Sequence, residues 1–330
     1  MDDVGAFVAR PPGEPEHEAL ERPGVPDFGV LAPLVRDPRV TDVFLNGPHA
    51  VWVDRGSGLE RHPRLLFSES EVREFAIRLV SLAGRHLDEA NPCIDARLGD
   101  GIRVHAVLPP ISPAGTLVSI RVPHVRPFSL AELDAAGFFA IVPLAIVESL
   151  VARRVNLLIT GAGGSGKTTL LSALLGAASI HERIVAIEDV AELRVRHPHF
   201  IGLEARQANL EGAGGLGLAR LVREALRMRP DRLVLGECRG AEIRELLGAL
   251  NTGHDGGAGT LHANSLDDVP ARLEALGALA QLSPTAIARQ AVSAIGAVLH
   301  VERIDGVRRL AQVGSFEVDA RDRLTVRHTA

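Results

Sequence analysis

The chain of 330 residues contains no tyrosine, one tryptophan and ten phenylalanines, so aromatic side chains make up only 3% of it. That leaves little for stacking on unpaired bases, and a net charge of −5 provides no general polyanion-binding surface. Nucleic acid is therefore not expected as a specific partner. There are two cysteines, Cys93 and Cys238, and neither belongs to a CxxC or Cys/His spacing. A disulfide framework and a zinc centre are thereby set aside, and a reducing compartment is the simplest reading. The N-terminus carries Asp2, Asp3, Glu14, Glu16 and Glu18 and no apolar signal-peptide core. The longest apolar run, Ala135 to Val147, is interrupted by Pro143 and ended by Glu148. It falls short of the roughly 20 residues that span a bilayer and reads as a buried core helix.

Lysine is the other scarcity. Of 36 basic residues one alone is lysine, Lys167. A strong bias toward arginine would be resisted only where a compact ammonium is needed rather than a planar guanidinium. Lys167 sits in the one segment that requires it. Val155 to Thr160 is a short apolar run with the character of a buried strand. Gly161, Ala162, Gly163, Gly164, Ser165, Gly166, Lys167, Thr168 and Thr169 follow, and Leu170, Leu171, Leu174 and Leu175 then repeat at helical spacing. Strand, glycine-rich loop and helix in that order are the context of the G-x4-G-K-[ST] phosphate loop. Glycines let backbone N–H groups converge on phosphate oxygens, and the helix N-terminus adds its positive dipole end. Lys167 would reach the β and γ phosphates, and the Thr168 hydroxyl would ligate Mg²⁺.

The rest of the chain divides around this loop. Residues 1–27, rich in Pro, Gly and Glu, read as a mobile tail. Residues 28–122 read as a smaller α/β domain. Within it lie strands at Val40–Leu45 and Val51–Val53, an amphipathic helix over Ser70–Ala83, and a hairpin across Ala96–Val107 turning at Gly99–Gly101. Residues 123–137 read as a linker. Residues 138–330 alternate strand and helix, the pattern of a mostly parallel sheet covered on both faces. The fold class expected is α/β: a RecA-like P-loop ATPase domain preceded by a smaller α/β domain.

Two apolar strands in the second domain end in acids. Arg183 to Ile187 leads into Glu188 and Asp189, and Leu233 to Leu235 leads through Gly236 to Glu237. Carboxylates at the C-terminal ends of parallel strands stand where ligands bind, and can orient water or hold Mg²⁺, directly or through water. His262 closes a further short strand, Ala258 to His262, after a glycine-rich loop read as flexible, Gly253 to Gly257. Arg121, Arg194, Arg206, Arg223, Arg227, Arg229 and Arg239 include possible arginine fingers, worth about 10³–10⁵ in rate; the sequence does not choose among them. A GTPase is excluded, because its Asn-Lys-x-Asp element needs a second lysine. The Ser-Gly-Gly-Gln signature of an ABC-type ATPase is absent.

These segments together resemble the CpaF/TadA family of type II/IV secretion ATPases. Arg183 to Leu193 is similar to the family's Asp box, and Ala225 to Gly240 to its Walker B, which ends in Glu. Asn251 to Gly256 and Thr260 to Ser265 are similar to its His box. In the N-terminal half, Thr41 to Gly47, Asp95 to Arg103 and Ser119 to Arg121 have family-like counterparts, so the resemblance runs over residues 30–320. Two departures are Gly256 to Gly259, where the family is richer in serine, and Cys238, where it has an aliphatic residue. The resemblance implies a ring-shaped homo-hexamer with ATP and Mg²⁺ bound between the two domains and hydrolysis driving their rotation. It implies Glu188 as general base, Glu237 as the group positioning water and Mg²⁺, and His262 as γ-phosphate sensor. Arg121, Arg206 and Arg239 become the candidate charge-stabilising arginines. It further implies a cytoplasmic motor, peripheral at the inner face of the membrane and attached through an inner-membrane platform protein of a pilus or secretion system.

Overall fold

The computed structural model describes residues 28–56, 58–63, 65–123, 126–206, 214–304 and 306–329, so the expected tail over 1–27 lies outside the described residues. The chain splits into two compact units between Val125 and Arg126.

The first unit contains α1 (Ala32–Arg36), β1 (Asp42–Asn46), β2 (Val51–Asp54), β3 (Leu59–Arg61), α2 (Glu69–Leu82), β4 (Cys93–Arg97), β5 (Arg103–Val107) and β6 (Leu117–Arg121). Its six strands form an antiparallel sheet in the order β3-β2-β1-β6-β5-β4. Alternation sets the faces: Val43 and Leu45 are buried on β1, Val51 and Val53 on β2. The α2 helix starts where a capping box forms, Ser68 accepting from the Glu71 backbone and Glu71 reaching back. It buries Val72, Phe75, Ala76, Leu79 and Val80, the face its periodicity predicts. The hairpin at Gly99–Gly101 joins β4 and β5, as expected.

The second unit contains α3 (Leu130–Ala135), α4 (Leu144–Ala152), β7 (Leu157–Gly161), α5 (Lys167–Gly176), β8 (Ile184–Glu188), β9 (Phe200–Glu204), α6 (Leu218–Leu226), β10 (Arg232–Leu235), α7 (Ile243–Leu250), β11 (Ala258–His262), α8 (Val269–Leu279), α9 (Pro284–Ala294), β12 (Ala297–Ile304), β13 (Val307–Val318) and β14 (Leu324–His328). The sheet order is β14-β13-β12-β7-β11-β10-β8-β9. From β12 to β9 all pairs are parallel, while β13 and β14 add antiparallel strands beyond β12. β7, β8 and β10 are buried at every position, as strands covered on both faces must be, and their apolar runs reflect it. One core packs α6, α7, α8 and α9 on one face; the other packs α3, α4 and α5 on the opposite face. No helix of the described residues is long and apolar enough to cross a membrane.

Two expectations change. The run from Ala135 to Val147 is not one core helix: residues 136–143 turn, and α4 begins only after Pro143. Proline lacks the N–H a helix interior needs but suits a helix start, so the apolar run buries Phe138, Phe139 and Val142 in turn conformation. Within the stretch 123–137, read as a linker, Leu130–Ala135 is helical. It opens on a second capping box, Ser129 with Glu132, and buries Leu130 and Leu133 in the core of the second unit.

Candidate active site

The parallel register brings the carboxyl ends of four strands to one edge. Gly161 of β7 lies opposite His262 of β11, and Leu235 of β10 lies opposite Gly259 of β11 and Ile187 of β8. The chain turns off β7 at Gly161, whose φ of +148° and surroundings exclude a side chain. A Cβ there would stand 2.2 Å from the Val301 carbonyl oxygen and 2.6 Å from Ser165 Oγ. The loop then runs through Ala162–Gly166 into the first turn of α5.

Lys167 is 7% exposed, and its ammonium is held by the loop itself. Nζ donates to the carbonyls of Gly161 at 2.9 Å and Ala162 at 2.8 Å, and lies 3.2 Å from His262 Nδ1. An ammonium can only donate, so Nδ1 is the acceptor and the ring proton sits on Nε2. Nε2 in turn lies 2.7 Å from Glu237 Oε1, and Glu237 is gripped on its other side by Arg239 at 2.5 Å. Arg239 also stands 3.9 Å from Asp189. Lys167, His262, Glu237 and Arg239 thus form one chain of alternating partners. Burial holds the His262 imidazole below its ordinary pKa, helped by the charges of Lys167, Arg239 and Arg272 and opposed by Glu237. The ring is neutral near pH 7, which makes it an acceptor toward Lys167 and leaves its Nε2 proton close to Glu237, though out of line for a hydrogen bond.

Glu188 occupies the same edge one strand beyond β10. It is 5% exposed, and its Oε1 accepts from the backbone N–H groups of Glu192 at 2.9 Å and Leu193 at 3.0 Å. These two backbone bonds fix the carboxylate without using the Glu192 side chain. Gly236 permits the close approach: a Cβ there would be 2.6 Å from Glu188 Cγ. Cys238 follows Glu237 into the core, and burial pushes its thiol pKa up, so it serves packing rather than reaction.

Several groups at this edge fit a polyphosphate and its divalent cation. Ser165 Oγ, inside the loop, is buried without a hydrogen-bond partner among the described residues. Glu237 Oε1 is buried as well and has no well-aligned donor, despite the closeness of Nε2. Buried polar atoms left so are costly, and a phosphate oxygen or a metal-bound water would satisfy them. Thr168, at the second position of α5, is half-buried beside the loop.

The other sequence candidates are placed differently. Arg239 joins the cluster, but Arg206 does not. It follows β9, four strand positions from β7 and so roughly 19 Å across the sheet, and its Nε donates to the Gly214 carbonyl at 2.7 Å. Arg121 is exposed at the end of β6 in the first unit. The Asn251–Gly256 part of the His-box match precedes β11, at the edge opposite the loop, and the segment read as flexible is tied down. Arg154 donates to the Asp255 carbonyl at 3.1 Å, Arg232 to that of Gly256 at 3.3 Å, and Gly257 N–H to Asn156 Oδ1 at 2.9 Å. Sequence reasoning missed His300. Fully buried on β12, it places Nδ1 2.8 Å from Thr160 Oγ1, directly behind the loop, and burial holds its pKa low. Only the β12–β7 pairing reveals it, since 140 residues separate the partners.

The chain is similar to known proteins. A family described as type II/IV secretion system protein matches residues 25–309. A Mycobacterium tuberculosis protein named for conjugal transfer is 50% identical over 292 residues, covering 86% of this chain and 83% of that one. The type IV secretion system protein VirB11 of Brucella suis is 30% identical over 280 residues, 77% of this chain and 78% of its own. Among solved structures, the pilus retraction motor PilT with bound ADP aligns at a TM-score of 0.56 and 19% identity over 88% of this chain and 78% of its own. The Legionella pneumophila ATPase DotB aligns at 0.55 and 18% over 89% and 77%. At such identities these two attest the fold alone. With 285 consecutive residues inside the family match, the chain belongs to the type II/IV secretion system protein family.

Proposed function

We propose that this chain is the Mg-ATP-hydrolysing motor of a type II/IV secretion or Tad-type pilus assembly system, of the CpaF/TadA kind. In this reading six copies form a ring and the nucleotide lies between the N-terminal unit and the ATPase unit. Hydrolysis turns one unit against the other. The observation that carries the reading is the placement of the only lysine. Lys167 is buried in a glycine loop and linked through His262 to Glu237, so the phosphate-binding and acid groups meet at one point.

The residues then divide the work. Loop amides from Gly161 to Thr169, with Lys167, bind phosphate. Lys167 leaves the Gly161 and Ala162 carbonyls for the β and γ oxygens. His262 follows that change through Nδ1 and so senses the γ-phosphate. Glu188, fixed by two backbone N–H groups, takes a proton from the attacking water. Thr168 and, through water, Glu237 would hold Mg²⁺, and the ion would supply positive charge to offset that of the phosphates. Arg121, Arg206 and Arg239 are the candidate charge-stabilising arginines. Arg239 is supported by its ion pair with Glu237, and Arg206 would reach a site only if a neighbouring copy supplied it. Relatives named for conjugal transfer and type IV secretion support an export machine. The motor would work at the cytoplasmic face of the inner membrane, docked on a platform protein rather than on lipid.

The test is Mg²⁺-dependent ATP hydrolysis per protomer as a function of protein concentration, with Glu188→Gln as control. Turnover per protomer should rise with concentration and plateau, and the control should lose at least about 10²-fold in kcat. Turnover that stays flat, with an unaffected control, would remove both the shared site and Glu188 as base.

A further inference from the structure

A cavity of about 530 Å³ opens beside the phosphate loop, on the side of Ala162, Gly163 and His262 rather than toward β12. Its far wall is the N-cap and one stripe of α8: Asp268, then Ala271, Arg272 and Ala275. Those positions are spaced i, i+3, i+4 and i+7, so a single helical face looks into the cavity. The opposite face of α8 buries Val269, Pro270, Leu273 and Leu276, which fixes the rotation of the helix. Arg272 is the one basic side chain of the lining and is exposed.

Its lack of a partner is the informative point. Asp268, one turn earlier, is the acid a surface arginine would ordinarily engage, yet no ion pair forms between them. Glu274, two residues on, is occupied by Arg323. Among the described residues Arg272 makes no side-chain hydrogen bond and no salt bridge. A guanidinium left unpaired at the mouth of a cavity floored by a phosphate loop sits in the field of whatever anion that loop holds. Its charge already reaches His262, whose proton affinity it lowers.

We propose that Arg272 is a catalytic arginine acting within its own protomer, turning into the cavity to bind the γ-phosphoryl oxygens of the nucleoside triphosphate held by the loop. The inference rests on the function proposed above and adds to it the wall that faces the γ-phosphate. In the reaction a water oxygen bonds to the γ-phosphorus while the bond to the β–γ bridging oxygen breaks. The electron pair leaves on the β-phosphate, and the proton of the water goes to a carboxylate at the strand edge, Glu188 on the present reading. Charge grows on the equatorial γ oxygens and on the leaving oxygen. Arg272, with planar donors on the cavity side, neutralises the former; Lys167, on the loop side, serves both. Phosphate then leaves through the cavity past the same guanidinium, whereas ADP does not meet it.

That asymmetry supplies the test. Arg272→Ala, Arg272→Lys and the parent chain are compared in kcat and KM for ATP at protein concentrations where turnover per protomer has reached its plateau. The affinity of a fluorescent ADP analogue is measured alongside. The expected result for Arg272→Ala is a fall of about 10²-fold in kcat, the loss typical of removing one donor to a developing charge. ADP affinity should stay within about threefold, since ADP has no γ-phosphate, and Arg272→Lys should recover part of the rate as a charge without the planar fork. Retained ADP binding shows that the variant is folded and its loop intact. A kcat within about threefold of the parent overturns the inference, being too small for a charge contact in the transition state. Loss of ADP affinity in step with kcat also overturns it, because the residue then serves the nucleotide as a whole or the fold. So does a defect that disappears on raising protein concentration, since the residue then serves assembly. A parent chain without hydrolysis fails the proposed function instead, and that failure is visible before any variant is made.

Discussion

His262 stands between an ammonium and a carboxylate, and the balance between them has a measurable sign. Its pKa in the folded chain lies below the ordinary histidine value of about 6.5. The unfolded chain therefore takes up the proton first as pH falls. The stability contributed by the neutral ring is whole above about pH 6.5 and is lost progressively below it. Urea unfolding of the ligand-free chain between about pH 7.5 and 5.5 should show a larger loss for the parent than for His262→Gln. His300 shifts in the same direction but titrates in both proteins, so the difference isolates His262. Equal slopes would mean that the ring is no less basic folded than unfolded. At this scale the glycine loop and its lysine were legible because a phosphate loop, as proposed above, would require fixed residue types at fixed spacing within nine consecutive positions. Glu188, Glu237 and His262 were legible because each ends an apolar strand. His300 and Arg272 were not. One becomes meaningful only through pairing with a strand 140 residues earlier, the other only through the direction its helix face looks.

At the scale of elements, the edge of the sheet that carries the glycine loop depends on its opposite edge. Arg232, 4% exposed at the start of β10, bonds Glu182 before β8, the Gly256 carbonyl before β11 and the Val151 carbonyl in α4. Arg154 adds bonds to Glu182 at 3.2 Å and to the Asp231 carbonyl at 2.7 Å. One half-buried carboxylate thus ties two guanidinium groups, one of them buried, that together hold the entry of three parallel strands. Removing one member of a buried pair leaves a charge without its partner, which costs about 3–5 kcal/mol. Glu182→Ala should lower the unfolding free energy by that order in urea titration while leaving KM for ATP of the remaining folded protein unchanged. A loss below about 1 kcal/mol would place the pair among weak surface bridges instead. This clasp explains why a glycine-rich loop read as flexible is in fact fixed: glycine content reports conformational freedom in the unfolded chain, not tethering by distant arginines. The segment after Ala135 misled for a related reason. An apolar run without period 3.6 shows that residues will be buried, but Pro143 decides where a helix can begin.

At the scale of the whole molecule, the two units carry separate hydrophobic cores, one in residues 28–122 and two on the faces of the larger sheet. A chain limited to residues 126–330 should therefore fold and bind ADP, observable as cooperative urea unfolding and retained fluorescent-nucleotide binding. Its turnover should fall by at least about 10²-fold if Arg121, in the other unit, stabilises charge at the nucleotide. Undiminished turnover would remove Arg121 from the mechanism. The sequence revealed the alternating part of this unit and not its end. Three strands after α9 return to the sheet, and β13 and β14 run antiparallel, a pairing that no local pattern in those residues announces.

The lysine of the loop has a further property. Lys167 donates to the Gly161 and Ala162 carbonyls and to His262, so its ammonium is held by its own surroundings and is not a bare cation awaiting any anion. An incoming ligand has to displace those three bonds before it gains its own. A chelating polyphosphate can replace all of them at once; a single inorganic phosphate offers fewer oxygens in the right places. The loop carbonyls and His262 thus compete with any anion for the same ammonium, so the grip of the loop on phosphate is a difference between two sets of bonds rather than the full strength of one.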